Sequence, residues 1–144
     1  MITIEQDPWE VMVKDAVSAF PDECCGFLFG TEDQEGNRTI LRALPVDNSK
    51  QGDKTRRFEI SALDYLKAEK LAESGEFLLL GIYHSHPSHP AIPSEHDRKA
   101  AQPYFSYLIL SVFQPEQIGV RSWRLNEAEL FEEEKMNFFQ LHKQ

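Results

Sequence analysis

Apolar positions along the chain fall into two kinds of run. Trp9, Val13, Ala16, Val17 and Phe20 recur at the three-to-four-residue spacing of one helix face, and Pro8 suits a first turn. The pattern predicts a helix over about residues 7–20 that Pro21 closes. Cys24-Cys25-Gly26-Phe27-Leu28-Phe29-Gly30 is instead a continuous apolar run bounded by turn residues, as a buried strand would be. Polar residues 31–37, ending in Gly36-Asn37, read as a turn into a second strand near 38–46.

Residues 47–55 are polar and basic around Gly52 and read as a loop. Arg57-Phe58-Glu59-Ile60 alternates as a short strand does. Ser61 is then placed to cap a helix to about residue 74, with Leu63, Leu66, Lys67 and Leu71 as its buried stripe and Gly75 as its stop. Residues 77–83 are apolar on both faces, which predicts a central strand with His84 at its C-terminal end. Ser94, with Asp97 three residues on, predicts a capped helix over 94–102 that Pro103 closes. Residues 107–113 and 118–125 are two further strands around a turn with Pro115 and Gly119. Residues 129–134 fit either a last strand or the start of a helix through Phe138, Phe139 and Leu141, and periodicity does not decide between them. Strands and helices interleave throughout, so the class is α/β or α+β, with one mixed sheet covered by helices in a single domain spanning residues 1–144.

Charge narrows the partners. A formal net charge of -9 argues against a nucleic-acid backbone or an anionic membrane as the main partner. With no basic start, h-region or bilayer-length apolar stretch, a cytoplasmic location is expected. The basic residues Lys50, Lys54, Arg56 and Arg57 gather in one segment, while Glu127, Glu129, Glu132, Glu133 and Glu134 crowd another. Both suit solvated surface, and the basic segment is also suited to receive an acidic partner. The adjacent Cys24 and Cys25 point to opposite sides of a strand, so they read as small apolar residues rather than a disulfide or a shared metal site.

The candidate chemistry lies between residues 84 and 97. Two positions apart on a strand, His84 and His86 aim their imidazoles to one side. The seven residues between His86 and Ser94 let the following helix fold back, so that Asp97 adds an oxygen. Two histidines, a carboxylate and an open position form a usual catalytic zinc set. By itself, His-x-His is a weak signal, and Ser-x-x-Asp is most often only a helix cap. Hydrolysis also needs a proton acceptor and an oxyanion donor. Glu23, just before the buried strand, is the candidate base, and Ser94 offers a hydroxyl on the helical face of Asp97. His96, about 100° around the helix from Asp97, and His89, on the loop, are assigned to the surface.

Glu23, then His84-Ser85-His86, seven residues, Ser94, two residues and Asp97 resembles the motif of the JAMM metallopeptidases, also called JAB or MPN+ domains. The flanks Pro21-Asp22-Glu23-Cys24-Cys25-Gly26, Tyr83-His84-Ser85-His86-Pro87 and Pro93-Ser94-Glu95-His96-Asp97-Arg98 are similar to the small bacterial members, and the likeness spans about residues 8–134. The resemblance implies a cytidine-deaminase-like sheet sandwiched by helices and one Zn2+ per chain. It also implies hydrolysis of a peptide or isopeptide bond after the C-terminal glycine of a ubiquitin-like or sulfur carrier protein. Carried over, His84, His86 and Asp97 are metal ligands, Glu23 the general acid/base and Ser94 the stabiliser of the tetrahedral intermediate, with none of the five substituted. The alternatives are a deconjugating isopeptidase of a bacterial ubiquitin-like system, a non-catalytic zinc-binding interaction module and a zinc deaminase. The last needs Pro-Cys-x-x-Cys ligands that this chain lacks.

Overall fold

The computed structural model describes residues 1–138, so a helix through Phe139 and Leu141 falls outside the described residues. In chain order the elements are β1 (Ile2–Ile4), α1 (Gln6–Ala19), β2 (Cys25–Glu32), β3 (Arg38–Val46), α2 (Ala62–Ser74), β4 (Leu78–Pro87), α3 (Glu95–Ala100), β5 (Ser106–Gln114), β6 (Gln117–Leu125), β7 (Phe131–Glu134) and β8 (Met136–Phe138). The strands form one mixed sheet in the order β7-β6-β5-β4-β2-β3-β1-β8. Its middle is β4, antiparallel to β2 and parallel to β5, as the two-faced apolar run requires.

Helices cover both faces of this sheet. On one, α1 sets Met12 and Ala16 against Ile4, Leu28, Leu80 and Tyr83. On the other, α2 sets Ala68 against Phe27, Phe29 and Ile82. The expected mixed α+β sheet between helices is therefore what the chain builds. Among the described residues no helix is long and apolar enough to cross a membrane.

One irregularity in β4 decides where its histidines point. Leu28 pairs with Gly81 and Phe29 with Leu79, so Leu80 is an extra residue on β4, a bulge that resets the inward and outward alternation. Beyond it, Tyr83 belongs to the α1 face and Ile82 to the α2 face. His84 and His86 share the parity of Ile82, so they also stand on the α2 face. Gly81 is required at this bulge, because a Cβ there would lie 2.0 Å from the Ser106 carbonyl oxygen.

Two expectations are corrected, and of the two readings of residues 129–134 the strand is the one found. The buried stripe of α2 is Tyr65, Ala68, Leu71 and Ala72; Leu63, Leu66 and Lys67 are exposed. Residues 57–60 form no strand. Phe58 and Ile60 do turn inward, but the backbone is latched to residues 48 and 49 instead of a sheet edge. Residues 131–138 form the edge strands β7 and β8, and Ile2-Thr3-Ile4 forms β1, a strand too short for its alternation to register as a signal.

Candidate metal centre

The site is assembled where β2 begins and β4 ends. Cys25 pairs with His84 across the sheet, which sets Glu23, two residues before Cys25, beside the histidines. The junction is fixed from the opposite face: the Cys24 amide donates to Ser85 Oγ at 2.8 Å, and the Ser85 amide donates to the Cys24 carbonyl at 3.2 Å. Ser85, the residue between the two histidines, is thus a positioning residue that the sequence pattern did not single out.

A second lock comes from the loop after β3. The Glu23 amide donates to the Lys54 carbonyl at 2.8 Å, and Asn48 Nδ2 donates to the carbonyls of Glu23 at 3.0 Å and Arg57 at 3.1 Å. Asn48 Oδ1 accepts from the amides of Lys50 and Glu59. One amide side chain therefore satisfies four backbone groups and holds residues 48–59 against Glu23. Phe58, delivered by this loop, stacks on the His84 ring with centroids 4.4 Å apart.

Asp97 arrives by the fold-back that the sequence predicts. Ser94 caps α3, and the capping box is complete: Ser94 Oγ accepts from the Asp97 amide at 3.0 Å, and the Ser94 amide donates to Asp97 Oδ2 at 2.9 Å. The intervening loop is pinned by Ser88 N–H to the Val112 carbonyl, by His86 Nδ1 to the Pro90 carbonyl and by Trp123 Nε1–H to the Ala91 carbonyl.

The resulting cluster is almost sealed, with Glu23, His84 and His86 exposed by 3%, 1% and 2%. His84 has Glu23 Oε1 3.6 Å from its Nδ1 and Asp97 Oδ2 3.8 Å from its Nε2, and His86 Nε2 lies 3.2 Å from Asp97 Oδ2. Nitrogen and oxygen atoms of His84, His86 and Asp97 come within 4.8 Å of one another, as do those of Glu23, His86 and His89.

The donor set fits a metal cation on two grounds. A carbonyl only accepts, so His86 Nδ1 carries the proton given to Pro90, which leaves Nε2 as the ring atom that faces Asp97 Oδ2 at 3.2 Å. With His84 beside them, these atoms turn two imidazole nitrogens and a carboxylate oxygen toward one point, the donor types a metal cation takes. In addition, Glu23 Oε1 and His84 Nδ1 are buried without a hydrogen-bond partner among the described residues. The electrostatics have the same sense. Burial disfavours charge on His84, but Asp97 and Glu23 outweigh it and hold its pKa above the usual histidine value. Burial also disfavours charge on Asp97, yet His84, His86 and the Ser94 amide hold its carboxyl well below the usual range.

Two cavities flank the cluster. One, of about 230 Å³, runs from His84 and Asp97 between Phe58, Tyr65, Ile82 and Tyr107. The other, of about 440 Å³, is bordered by Ser94, His89, Pro21, Arg56 and Arg57. Both outlying histidines therefore differ from expectation. His96 is half-buried and lines the first cavity; His89 is half-buried and stacks on His86 at 4.2 Å, because the pinned loop folds its ring back onto β4. The cysteines behave as read from the sequence, buried and unpaired, with burial pushing the Cys25 thiol up to about 12 and the Cys24 thiol higher still.

The model of the prokaryotic homologs of the JAB domain matches residues 5–126. The CysO-cysteine peptidase of Mycobacterium tuberculosis is 31% identical over 134 residues, covering 92% of this chain and 88% of the relative. A desampylase of Pyrococcus furiosus is 29% identical over 120 residues, covering 83% of this chain and 79% of the relative. A protein of Desulfitobacterium hafniense with a solution structure superposes with a TM-score of 0.85 at 32% identity, covering 99% of this chain and 97% of its own.

Proposed function

The chain belongs to the prokaryotic homologs of the JAB domain, and on that premise we propose that it is a zinc metallopeptidase that cleaves after the C-terminal glycine of a ubiquitin-like sulfur carrier protein. The observation that carries the reading is the nearly sealed cluster in which His84, His86 and Asp97 bring nitrogen and oxygen atoms within 4.8 Å of one another, with Glu23 Oε1 3.6 Å from His84 Nδ1.

His84, His86 and Asp97 would hold one ion. His86 has a single nitrogen free, since Nδ1 is given to Pro90, so the grouping with Glu23 and His89 shares that nitrogen and does not make a second site. Zinc held there would supply Lewis acidity and lower the pKa of a water. Glu23 Oε1, buried and 3.6 Å from His84 Nδ1, is placed to accept a proton at the cluster and to deliver it to the leaving amine. Ser94 Oγ already accepts from the Asp97 amide, so its own hydrogen is free to stabilise the developing oxyanion.

The substrate class is supported by the mycobacterial relative, named for a carrier joined to one cysteine, which covers nearly the whole of both chains. The desampylase keeps an isopeptide substrate as the second reading. The test is mass spectrometry of a sulfur carrier protein ending in Gly-Gly plus a short extension, incubated with the zinc-loaded enzyme. The expected product ends at the glycine; an intact carrier at high enzyme concentration contradicts the proposal.

A further inference from the structure

The larger cavity beside the site carries an inference about which bond is cut, and it rests on the peptidase reading above. The cavity opens on the flank of Ser94 and of His89, which stacks on His86, whereas the apolar cavity opens on the flank of His84 and Asp97. A substrate lying across the cluster would thus meet a mostly apolar wall on one side and two guanidinium groups on the other.

Those guanidiniums stand out in a chain of net charge -9. Arg56 and Arg57 are exposed and form no ion pair among the described residues. Asp53, in the same loop, feels both charges without pairing with either. The backbone beneath them is not free: the Lys54 and Arg57 carbonyls are tied to the Glu23 amide and to Asn48. Two uncommitted cations are therefore held on a pinned segment beside the candidate base. By contrast, Arg98, the arginine on α3, is occupied by Glu95 and the Glu129 carbonyl.

Cations at this place solve a specific difficulty. With zinc bound, the carboxylates of Glu23 and Asp97 would offset the charge of the ion, so the cluster keeps no surplus positive charge for an anionic leaving residue. When the last residue of a chain is released, its α-carboxylate is only one carbon from the scissile nitrogen, so its reader must stand next to the reacting centre. A lysine branch puts four methylenes in that place and no carboxylate. The planar arginine fork matches a carboxylate in bidentate geometry, and about 440 Å³ falls in the usual range for a small-ligand pocket.

We propose that the cavity bordered by Arg56, Arg57 and Ser94 binds the free α-carboxylate of the released residue, so that the preferred substrate is a linear C-terminal extension of one residue and not a lysine branch. The experiment uses one sulfur carrier protein ending in Gly-Gly in three forms: extended by one alanine with a free carboxylate, extended by alanine carboxamide, and joined to the ε-amine of a lysine peptide. Wild type is expected to cleave the carboxylate form with a kcat/KM about tenfold or more above the other two. In R56Q/R57Q the carboxylate-to-carboxamide ratio should fall to about one, with zinc content and unfolding midpoint retained. R56Q and R57Q alone supply the same ratio should the double variant be unstable. Equal cleavage of the three forms by wild type, or a ratio that survives both substitutions, overturns the carboxylate site and leaves the peptidase standing. Cleavage of none of the three overturns both.

Discussion

Ser85 Oγ accepts the Cys24 amide hydrogen at 2.8 Å, joining the strand that carries both histidines to the residue next to Glu23. The bond is on the α1 side of the sheet, away from the cluster, so it sets the distance between candidate base and ligands without touching either. Ser85→Ala leaves a buried amide without its partner, which costs about 1–3 kcal/mol. The expected outcome is a lower urea midpoint together with a reduced kcat at retained zinc content. A variant equal to wild type in both measurements contradicts the positioning role.

Asn48 is the corresponding tie for the loop over Glu23. Its side chain serves the backbone of Glu23, Lys50, Arg57 and Glu59, so Asn48→Ala releases residues 48–59 as a unit. Hydrogen exchange should accelerate at the Lys50 and Glu59 amides while β5 and β6 remain protected, and kcat should fall because Phe58 no longer holds the His84 ring. Unchanged exchange at both amides contradicts this.

The two thiols supply a test of the core. Cys24 and Cys25 are buried and their pKa values are raised by that burial, so neither offers a thiolate near neutral pH. A thiol reagent at pH 8 should label neither cysteine in the folded protein and both in denaturant. Fast labelling of the native protein contradicts the packing of β2.

The parts of this molecule legible in the sequence are those whose signal is local. The apolar run of β4 announces a central strand, and Ser94 with Asp97 announces the capped start of α3, because chain and hydrogen bond are close together. The convergence of His84, His86 and Asp97 was legible for the same reason, and Glu23 was singled out by its place just before the buried strand and by the resemblance of the whole motif. What failed depends on distant partners. Leucines lie on two faces of α2, and packing against Phe27 and Phe29 selects the face with Tyr65, Ala68 and Leu71. Residues 57–60 alternate correctly, yet the sheet position that would make them a strand is not offered; Asn48 and Ser49 bind them instead. The bulge at Leu80, which aims His84 and His86, exists only in the pairing with β2.

The claim at the centre is that Glu23 moves the proton while His84, His86 and Asp97 hold the metal. Zinc content and turnover measured side by side on Glu23→Gln and Asp97→Ala separate the two roles. Glu23→Gln should keep one zinc per chain and lose about 10²–10⁴-fold in kcat, whereas Asp97→Ala should lose the zinc itself. Wild-type turnover by Glu23→Gln would contradict the assignment.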